Sequence, residues 1–447
     1  MSEGFAIERL GEGAIDSPFE LGTVPGDMMV DFVDDGARIV ADLDIDTIAA
    51  HLRSGSLPPS LEIAGPRQRI FFDPTDLGVG IVTCGGICPG LNTVIRGLVM
   101  TLWHGYGVRM IHGLRYGFAG LSAREGHQPI ALTPEFVRDI HNLGGTVLGT
   151  SRGPQDPQEM VDTLEWRRIR LLFVIGGDGT FKGAQAIHRE VARRGASIAV
   201  VGIPKTIDND IPLVDKTFGF DTAVGLAAGA INAAYAEAQS TVNGIGLVKL
   251  MGRYAGFIAA NAALAMRNVN LVLIPEVPFD LEGEGGLYAY LESRFAHHKF
   301  TVIVVAEGAG QQHVARAGGT DASGNALLGD IGQFLRDRIQ ERFAGRVKLS
   351  LKYIDPSYII RSAPPCSTDS IFCGQLGQAA AHAGMSGRTG MAVGHSHGRL
   401  THIPLERLVG HRRQVDPEGE LWRSVLESTG QPAFLTNAAK RGAGVVR

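Results

Sequence analysis

The chain has 447 residues, of which 44% are hydrophobic and 20% charged, and its formal net charge is −4. These values are ordinary for a globular protein with a large core, and the length favours two or three domains. The slightly acidic balance argues against a nucleic-acid-binding protein, which normally carries a basic excess. The chain starts without the basic and apolar segments of a signal peptide, and no run reaches the ~18 apolar residues of a membrane span. We therefore expect a cytoplasmic protein with no nucleic-acid or membrane partner.

Residues 1–75 form an N-terminal extension of mixed character. Helical spacing over residues 44–51 is broken by the Gly-Ser-Leu-Pro-Pro stretch that follows. No residue pattern here indicates chemistry, so we expect a strap over the rest of the protein or an oligomer contact.

An apolar run at residues 77–83 predicts a strand, and residues 85–90 (GGICPG) then turn into a helix predicted over residues 90–104. Pro89 suits the first turn of that helix. The G-x-x-x-x-G spacing invites a P-loop interpretation, but Leu91 and Asn92 replace the Lys-Ser/Thr pair that a P-loop requires. The P-loop is rejected, and the loop is either a tight strand-to-helix turn or a phosphate cradle.

The four cysteines, Cys84, Cys88, Cys366 and Cys373, do not have the spacing of a zinc site. Reduced thiols are the expectation for a cytosolic protein. A His-x-His pair at residues 395–397 hints at metal, but no carboxylate constellation accompanies it, so surface polar residues are favoured.

Residues 174–210 hold two further loops. Apolar runs lead into residues 175–181 (IGGDGTF) and 202–210 (GIPKTIDND), and the stretch between has helical spacing. Such a strand–helix–strand unit places both loops at the carboxyl edge of a parallel sheet, where ligands bind. Its glycines let backbone N–H groups approach phosphate oxygens, and Asp178 could hold Mg²⁺ against them. Asp208 and Asp210 are a candidate base and its partner, or else solvated carboxylates of an Asx-type turn.

Strands and helices alternate along the remaining chain, which predicts α/β domains with mostly parallel sheets. The strand at residues 244–250 runs into Met251-Gly252-Arg253, and the strand at 301–306 ends at Glu307. Further strands are predicted at residues 108–112, 271–274, 347–353 and 389–393, and helices at 133–142, 222–240, 254–266, 329–343 and 369–382.

Six motifs, in this order, resemble those of the phosphofructokinase family, which transfers phosphate to the 1-hydroxyl of fructose 6-phosphate. GGDGT is weak alone because NAD kinases and diacylglycerol kinases carry it, whereas PKTIDND followed forty-odd residues later by MGR is specific. The resemblance spans roughly residues 62–395. The motifs are residues 83–92 (TCGGICPGLN), 176–180 (GGDGT), 204–210 (PKTIDND), 249–256 (KLMGRYAG), 274–278 (IPEVP) and 353–361 (YIDPSYIIR).

The resemblance implies two doubly wound, Rossmann-like α/β domains with an active-site cleft between them. Residues 76–222 and 360–400 would form the nucleotide-side domain. Residues 223–359 and 401–447 would form the sugar-phosphate-side domain.

The resemblance also implies roles for individual residues. Asp208 would be the base, Asp210 would orient the nucleophile or a metal-bound water, and Arg253 would offset charge on the transferring group. The donor, ATP with Mg²⁺ on Asp178, would contact Gly85, Gly86, Arg152, Gly153, Gly177, Asp178, Gly179, Thr180 and Lys205. The sugar would contact Thr206, Ile207, Asp208, Met251, Gly252, Arg253 and Glu307, and its 6-phosphate would contact Lys352, Tyr358 and Arg361.

Two residues bear on the identity of the donor. Pyrophosphate-using relatives place an aspartate at the position of Gly179, where its bulk and charge would collide with the α-phosphate of ATP. Lys205 suits the dense charge of pyrophosphate. Because a lysine side chain is flexible, however, we expect it to move aside when ATP binds. The combination resembles the plant and trypanosomatid type, which uses ATP.

An ATP-dependent kinase is therefore preferred, with a pyrophosphate-dependent phosphotransferase and a non-catalytic regulatory paralogue as alternatives. Gly244 stands where many bacterial relatives have an arginine that reaches the neighbouring subunit. The bacterial shared site therefore does not carry over directly, and a homodimer or homotetramer is expected.

Overall fold

The computed structural model describes residues 4–24, 26–315, 318–320 and 327–438. These residues fall into two compact units. Unit 1 comprises Met1–Ile207, Ile211–Gly219 and Ser362–His411, and unit 2 comprises Asp208–Asp210, Phe220–Arg361 and Arg412–Arg447. None of the helices in the described ranges has the length and apolar character needed to cross a bilayer.

The strands of the described chain are β1 (Glu8–Arg9), β2 (Ile15–Asp16), β3 (Arg38–Val40), β4 (Ser60–Ile63), β5 (Arg69–Ile70), β6 (Gly78–Thr83), β7 (Met110–Leu114), β8 (Ile130–Ala131), β9 (Ile169–Gly176), β10 (Ala199–Pro204), β11 (Gly244–Leu250), β12 (Leu271–Leu273), β13 (Phe300–Ala306), β14 (Ser350–Ile354), β15 (Arg388–Thr389), β16 (Met391–Ser396) and β17 (Arg399–Pro404). The helices are α1 (Ile45–Arg53), α2 (Leu91–Met100), α3 (Pro134–Val137), α4 (Pro157–Trp166), α5 (Asp178–Arg194), α6 (Phe220–Gln239), α7 (Phe257–Met266), α8 (Leu287–His297), α9 (Ile331–Phe343), α10 (Ser357–Ser362), α11 (Ser367–Met385), α12 (Leu405–Leu408) and α13 (Glu420–Thr429). Short 3₁₀ helices lie at Pro74–Asp76, Gly117–Leu121 and Ile140–Asn142, and a π-helical turn at Thr101–Tyr106 follows α2.

Unit 1 is built on a nine-stranded sheet of order β3-β4-β17-β16-β10-β9-β6-β7-β8. The five strands from β16 to β7 are parallel, and antiparallel pairs flank them on both sides. Every residue of β6 and β10 is buried, which is why these strands read as continuous apolar runs rather than alternating ones.

Unit 2 contains a four-stranded parallel sheet of order β12-β13-β11-β14. Its core joins Leu247 of β11 and Val305 of β13 to Leu335, Ile339 and Phe343 of α9. These three α9 residues recur at a spacing of four, so one face of the helix covers the sheet. The expected fold class, two α/β units with mostly parallel sheets, is confirmed.

The unit boundaries differ from the expected domain boundaries. Residues 1–75 belong to unit 1, because β3 and β4 extend the nine-stranded sheet by antiparallel pairing with β17. Residues 401–411 also belong to unit 1, since β17 pairs along its whole length with β16. Residues 208–210 belong to unit 2 although the chain on both sides of them lies in unit 1. The C-terminal residues 439–447 lie outside the described ranges.

A buried ion-pair network ties the flanking strands of unit 1 together. Glu62 of β4 contacts Arg388 and lies 3.0 Å from Arg67, and all three side chains are at most 4% exposed. Burial alone would raise the pKa of Glu62, but the His402 hydrogen bond and the Arg388 charge hold it well below its ordinary value. Burial lowers the pKa of His402 to about 4, so its imidazole is neutral at pH 7 and donates from Nδ1 to Glu62 across 3.1 Å.

Glu62→Gln should strongly destabilise unit 1. The substitution removes the buried carboxylate that Arg67 and Arg388 share and leaves them only the more exposed Asp35, 3.0 Å and 2.8 Å away. Breaking a buried ion pair typically costs about 3–5 kcal/mol in the free energy of unfolding, and the contacts with Asp35 place the expected loss toward the low end of that range. The sign follows from the lowered pKa: the ion pairs stabilise the fold above the ordinary pKa of a glutamate and stop doing so only as pH falls through the lowered value. Thermal and urea unfolding at pH 7 measure the loss.

Asp16→Asn is the matched control, because Asp16 pairs with Arg69 at 3.4 Å but its side chain is 84% exposed. Its effect should stay within about 1 kcal/mol. Equal losses in the two variants would contradict a structural role for the buried network.

Candidate functional site

Strands β6 and β9 mark a switch point in the sheet of unit 1. They are neighbours, yet the chain leaves β6 through α2 to β7 on one side and leaves β9 through α5 to β10 on the other. Because crossovers between parallel strands are right-handed, α2 and α5 lie on opposite faces of the sheet. The carboxyl ends of β6 and β9 therefore border a crevice of the kind that binds ligands in open α/β sheets.

Three sequence-predicted loops meet at this edge. Thr83 at the end of β6 is in register with Ile175 of β9, and Gly176 is in register with Pro204 at the end of β10. A Cβ added to Gly85 would lie 3.5 Å from Lys205 Nζ and 3.9 Å from Thr180 Oγ1. Gly85 also has φ +81°, a conformation that side chains rarely adopt. Unit 1 thus brings together the glycine loops that the sequence assigns to the phosphate donor.

Lys205 is held firmly at this edge. Only 7% of the residue is exposed, its Nζ donates to the Gly86 carbonyl, and its backbone N–H donates to Gly176 O across 2.9 Å. Lys205 is thus buried between two loops in this structure, with its ammonium group against the Gly86 carbonyl. The expectation that it moves aside for a nucleotide stays a prediction.

The first turn of α5 supplies the remaining donor-side groups. Gly177 is the N-cap, and Asp178, Gly179 and Thr180 follow it, so the N–H groups of a first helical turn and the positive end of the helix dipole lie here. A Cβ added to Gly179 would meet no heavy atom within 4 Å. The space beside Gly179 is open to a ligand.

Asp178 is the only carboxylate predicted to bind metal. Its Oδ2 lies 3.0 Å from Lys182 Nζ, and its Oδ1 accepts from the Gly410 N–H at 3.2 Å. Within the described ranges no group of three or more His, Cys, Asp or Glu residues could hold a metal ion. A single carboxylate fits Mg²⁺, which commonly binds through one or two carboxylates together with substrate phosphates rather than in an all-protein cage.

Arg152 and Gly153 lie in the loop before α4. Arg152 is exposed, and its guanidinium would be 3.8 Å from a Cβ placed on Gly86, while Gly153 has φ +99°. Cys84 and Cys88 are buried beside the same loops. Burial raises the pKa of the Cys84 thiol to about 12, so this cysteine is not a nucleophile at neutral pH.

The sugar-side residues follow three adjacent parallel strands of unit 2. Arg253 follows β11, Glu307 follows β13, and α10 follows β14. The loops are cross-linked, because the Glu307 N–H donates to Leu250 O at 2.9 Å and the Gly308 N–H donates to Gly252 O at 3.1 Å. Gly252 has φ +124°, and a Cβ there would lie 2.5 Å from Ala255 O, so only glycine fits without strain. Met251 precedes it and is partly buried.

Asp208 lies among like charges in the same unit. Its Oδ1 is fully buried although the residue retains some exposed surface. Burial, and then the charges of Asp210 and Glu307, raise the pKa of Asp208 well above its ordinary value, while a hydrogen bond from the Arg253 backbone N–H acts in the opposite direction. Asn209 between the two aspartates is left-handed, with φ +56°, a conformation that asparagine tolerates. The alternative of a turn with solvated carboxylates therefore fails for Asp208.

Glu307 is also perturbed. Burial raises its pKa, and the charges of Arg253, Lys249 and Arg361 oppose the rise. Arg253 and Arg361 are thus close enough to Glu307 to act on its charge, and their place in one substrate pocket stays a prediction. Just before Asp208, the Thr206 carbonyl accepts from Thr217 Oγ1 at 2.7 Å and Ile207 is buried, both in unit 1.

The predicted 6-phosphate residues are not equally placed. Arg361 lies over the ring of Tyr358 at 4.6 Å on α10, and Tyr358 is exposed. Lys249 Nζ fixes the preceding loop through Asp355, 2.8 Å away. Lys352 is exposed on the edge strand β14, two residues before that strand ends.

The sequence interpretation missed Arg412, which contacts the predicted site residue Asp210. Its guanidinium pairs with Asp210 at 3.2 Å and lies 3.9 Å from the centre of the Tyr254 ring. The only sequence feature that marks this residue is the basic pair Arg412-Arg413, in a C-terminal stretch without a motif. Such pairs are too common to identify a functional arginine.

Comparisons with known proteins agree with this architecture. A family model described as phosphofructokinase matches residues 78–384. An ATP-dependent 6-phosphofructokinase of Amycolatopsis methanolica is 48% identical over 443 residues, covering 97% of this chain and 96% of the relative. Two further relatives have the same name, and each aligns with 84% of this chain. The protein from Borreliella burgdorferi is 49% identical and is covered over 86% of its length. The protein from Trypanosoma brucei brucei is 48% identical and is covered over 77% of its length.

Among solved structures, the pyrophosphate-dependent phosphofructokinase of Marinobacter aquaeolei superposes with a TM-score of 0.66 at 18% identity, covering 79% of this chain and 91% of that one. At that identity the likeness concerns the fold alone. The family match spans well over half of the chain, and the Amycolatopsis methanolica relative aligns almost end to end. The chain belongs to the phosphofructokinase family.

Proposed function

We propose that the protein catalyses transfer of the γ-phosphate of ATP to the 1-hydroxyl of fructose 6-phosphate, giving fructose 1,6-bisphosphate and ADP. The observation that carries this proposal is the buried Asp208 carboxylate, whose pKa is raised by burial, Asp210 and Glu307. A carboxylate that is destabilised by its surroundings accepts a proton readily, which is what a general base in phosphoryl transfer must do.

ATP is the proposed donor because the space beside Gly179 is open. A nucleotide needs room for its α-phosphate and nucleoside beyond the two phosphates that pyrophosphate also has. The relatives at 48–50% identity are named as ATP-dependent enzymes. Lys205, whose Nζ donates to the Gly86 carbonyl, adds positive charge that suits the phosphates of either donor.

Asp208 takes the proton of the 1-hydroxyl as that oxygen attacks the γ-phosphorus, and the bond to the β-phosphate oxygen breaks as ADP leaves. Arg253, Arg152 and Lys205 offset the charge that spreads over the transferring group. Asp210 orients the attacking hydroxyl. The donor is cradled by Gly85, Gly86, Gly153, Gly177, Gly179 and Thr180.

Asp178 would hold Mg²⁺ together with the donor phosphates. When bound, the ion neutralises phosphate charge that would otherwise oppose transfer. Lys182 lies 3.0 Å from Asp178 and competes for the same carboxylate.

The sugar is held by Thr206, Ile207, Met251, Gly252 and Glu307, the last by accepting hydroxyl hydrogen bonds. Arg361 and Tyr358 bind the 6-phosphate, and Lys352 adds positive charge nearby. Both arginines, Arg253 and Arg361, act on Glu307, which supports a single sugar-phosphate pocket in unit 2.

We further propose that the enzyme acts in the cytoplasm as a homodimer or homotetramer. Apolar side chains near the N-terminus support self-association, since Val24, Met28, Met29 and Val30 are all at least 56% exposed. Sedimentation velocity tests this, and a species with the mass of one chain would contradict it.

Asp208→Asn should separate activity from stability. Loss of a positioned base should lower kcat by about 10²–10⁴-fold. The melting temperature should not fall, because at neutral pH the neutral amide removes a charge that the raised pKa marks as unfavourable in the folded state. An aldolase-coupled assay and differential scanning calorimetry provide the two readouts.

Asp337→Asn, at an exposed carboxylate paired with Arg336, is the control and should keep wild-type turnover. An Asp208→Asn variant that retains a tenth of wild-type kcat would rule out its role as the base.

Gly179→Asp should abolish ATP-dependent turnover while the protein stays folded. A Cβ at this position would meet no heavy atom within 4 Å, and an acidic residue suits the first turn of a helix, so the fold should tolerate the aspartate while its charge and bulk oppose the donor phosphates. Gly179→Ala adds only a methyl group and should keep most of the activity. Initial rates with varied ATP measure the effect, and unchanged ATP turnover in Gly179→Asp would show that this position does not gate the donor.

Arg361→Ala should raise KM for fructose 6-phosphate roughly ten- to hundred-fold and leave KM for ATP unchanged. A charge-assisted contact with phosphate contributes about 1.5–3 kcal/mol. Arg338→Ala removes an exposed arginine of α9 that pairs with Glu341 and serves as the control. A rise in KM for ATP alone would mean that the donor and acceptor pockets are reversed.

A further inference from the structure

We propose that Arg412 is a positioning residue of the phosphoryl-transfer site, which acts by holding the Asp210 carboxylate; this inference rests on the function proposed above. Arg412 Nη1 lies 3.2 Å from Asp210 Oδ2, and the two side chains are 30% and 11% exposed. The pair is therefore sheltered enough to be screened less by salt than a surface pair.

The Arg412 guanidinium makes a second contact that fixes its plane. Its central carbon lies 3.9 Å from the centre of the Tyr254 ring, within the range of a cation–π contact. Tyr254 directly follows Arg253, the proposed cation at the transferring group. A planar guanidinium can stack on the ring and bind the carboxylate at the same time, which a lysine ammonium does less well.

The segment that carries Arg412 is anchored at three further points. The Arg413 N–H donates to Asp210 O at 2.9 Å, and Gln414 Nε2 donates to Tyr254 O at 2.9 Å. The Val415 N–H donates to Glu276 Oε1 at 2.8 Å, and the same oxygen accepts from the Gly256 N–H at 2.9 Å. Residues 412–415 are thus hydrogen-bonded to Asp210, to Tyr254 in the loop after β11 and to Glu276 after β12, all in unit 2.

The need for such a residue follows from the charges around the base. Asp210 and Glu307 both repel a negative charge on Asp208, while the Arg253 backbone N–H and the Arg412 charge favour it. Without a cation beside it, Asp210 would turn away from Asp208 and would no longer orient the attacking hydroxyl. The family model ends at residue 384, so Arg412 lies outside the part of the chain that the family match covers.

A double-mutant cycle tests the inference. In the wild-type background, Arg412→Gln should lower kcat for fructose 6-phosphate on the order of 10- to 100-fold, since small misplacements of an orienting group have effects of that size. KM for ATP should change less than roughly three-fold. In the Asp210→Asn background, the same substitution should change kcat less than roughly two-fold, because a residue that acts through Asp210 has nothing left to hold.

Arg423→Gln, which removes an exposed arginine of α13 paired with Glu427, is the charge-matched control and should keep wild-type kcat. Arg412→Lys keeps a cation and a long stem and should lose less activity than Arg412→Gln. Melting temperatures of all variants establish that each protein is folded at the assay temperature.

Losses of kcat that are additive across the cycle, or that are equal in Arg412→Gln and Arg412→Lys, would overturn the inference. The proposed function would remain valid in that case as long as the wild type is active. A wild type that does not phosphorylate fructose 6-phosphate would instead overturn the proposed function itself.

Discussion

Parallel register in the two sheets is the constraint on which the proposed site depends. Thr83 pairs with Ile175, and Gly176 pairs with Pro204, so the loops after β6, β9 and β10 begin at one level. Leu250 pairs with Ala306 in the same way in unit 2, and Arg253 and Glu307 follow from there. A slip of one residue would turn buried side chains to the wrong face of the sheet. The packing of buried strands therefore positions the glycine loops and the sugar-side residues. The loops themselves, which are rich in glycine and charged residues, need to contribute little to the stability of the fold.

The carboxylates of unit 2 carry negative charge in surroundings that disfavour it, and the proposed chemistry depends on this. Asp208 is placed where burial, Asp210 and Glu307 all disfavour its charge, and Glu307 is disfavoured by burial as well. Arg253 and Arg412 limit this cost without cancelling it. The result is a carboxylate that stays in place but has a high affinity for a proton. On the donor side the balance is reversed, because Lys205, Arg152 and the start of α5 gather positive charge where phosphates are proposed to bind. In the proposed mechanism, carboxylates of unit 2 activate the acceptor hydroxyl, and positively charged groups of unit 1 stabilise the donor phosphates.

Much of this arrangement could be predicted from local sequence. The apolar runs before GGICPG, GGDGT and PKTIDND marked buried parallel strands, and the strand at residues 244–250 has the predicted bounds. The features that sequence did not show depend on contacts between distant residues. Strands β3 and β4 are only three and four residues long and join the sheet through β17, more than three hundred residues away. The burial of Lys205 and the pairing of Arg412 with Asp210 likewise arise from loops brought together by the fold. The helix expected over residues 90–104 ends at Met100 and continues as a π-helical turn to Tyr106, a change of winding that the hydrophobic pattern does not encode.

We propose that Asp208 is the base and that its neighbours set its proton affinity. The pH dependence of kcat/KM for fructose 6-phosphate should be compared between the wild type and Asp210→Asn, because titration of the sugar phosphate is common to both proteins. We expect an acid limb above the ordinary aspartate pKa of about 3.9 in the wild type. The limb should move to lower pH in Asp210→Asn, since one of the charges that raise the pKa of Asp208 is removed. An acid limb that stays in place or moves to higher pH in the variant would show that Asp210 does not set the proton affinity of the base.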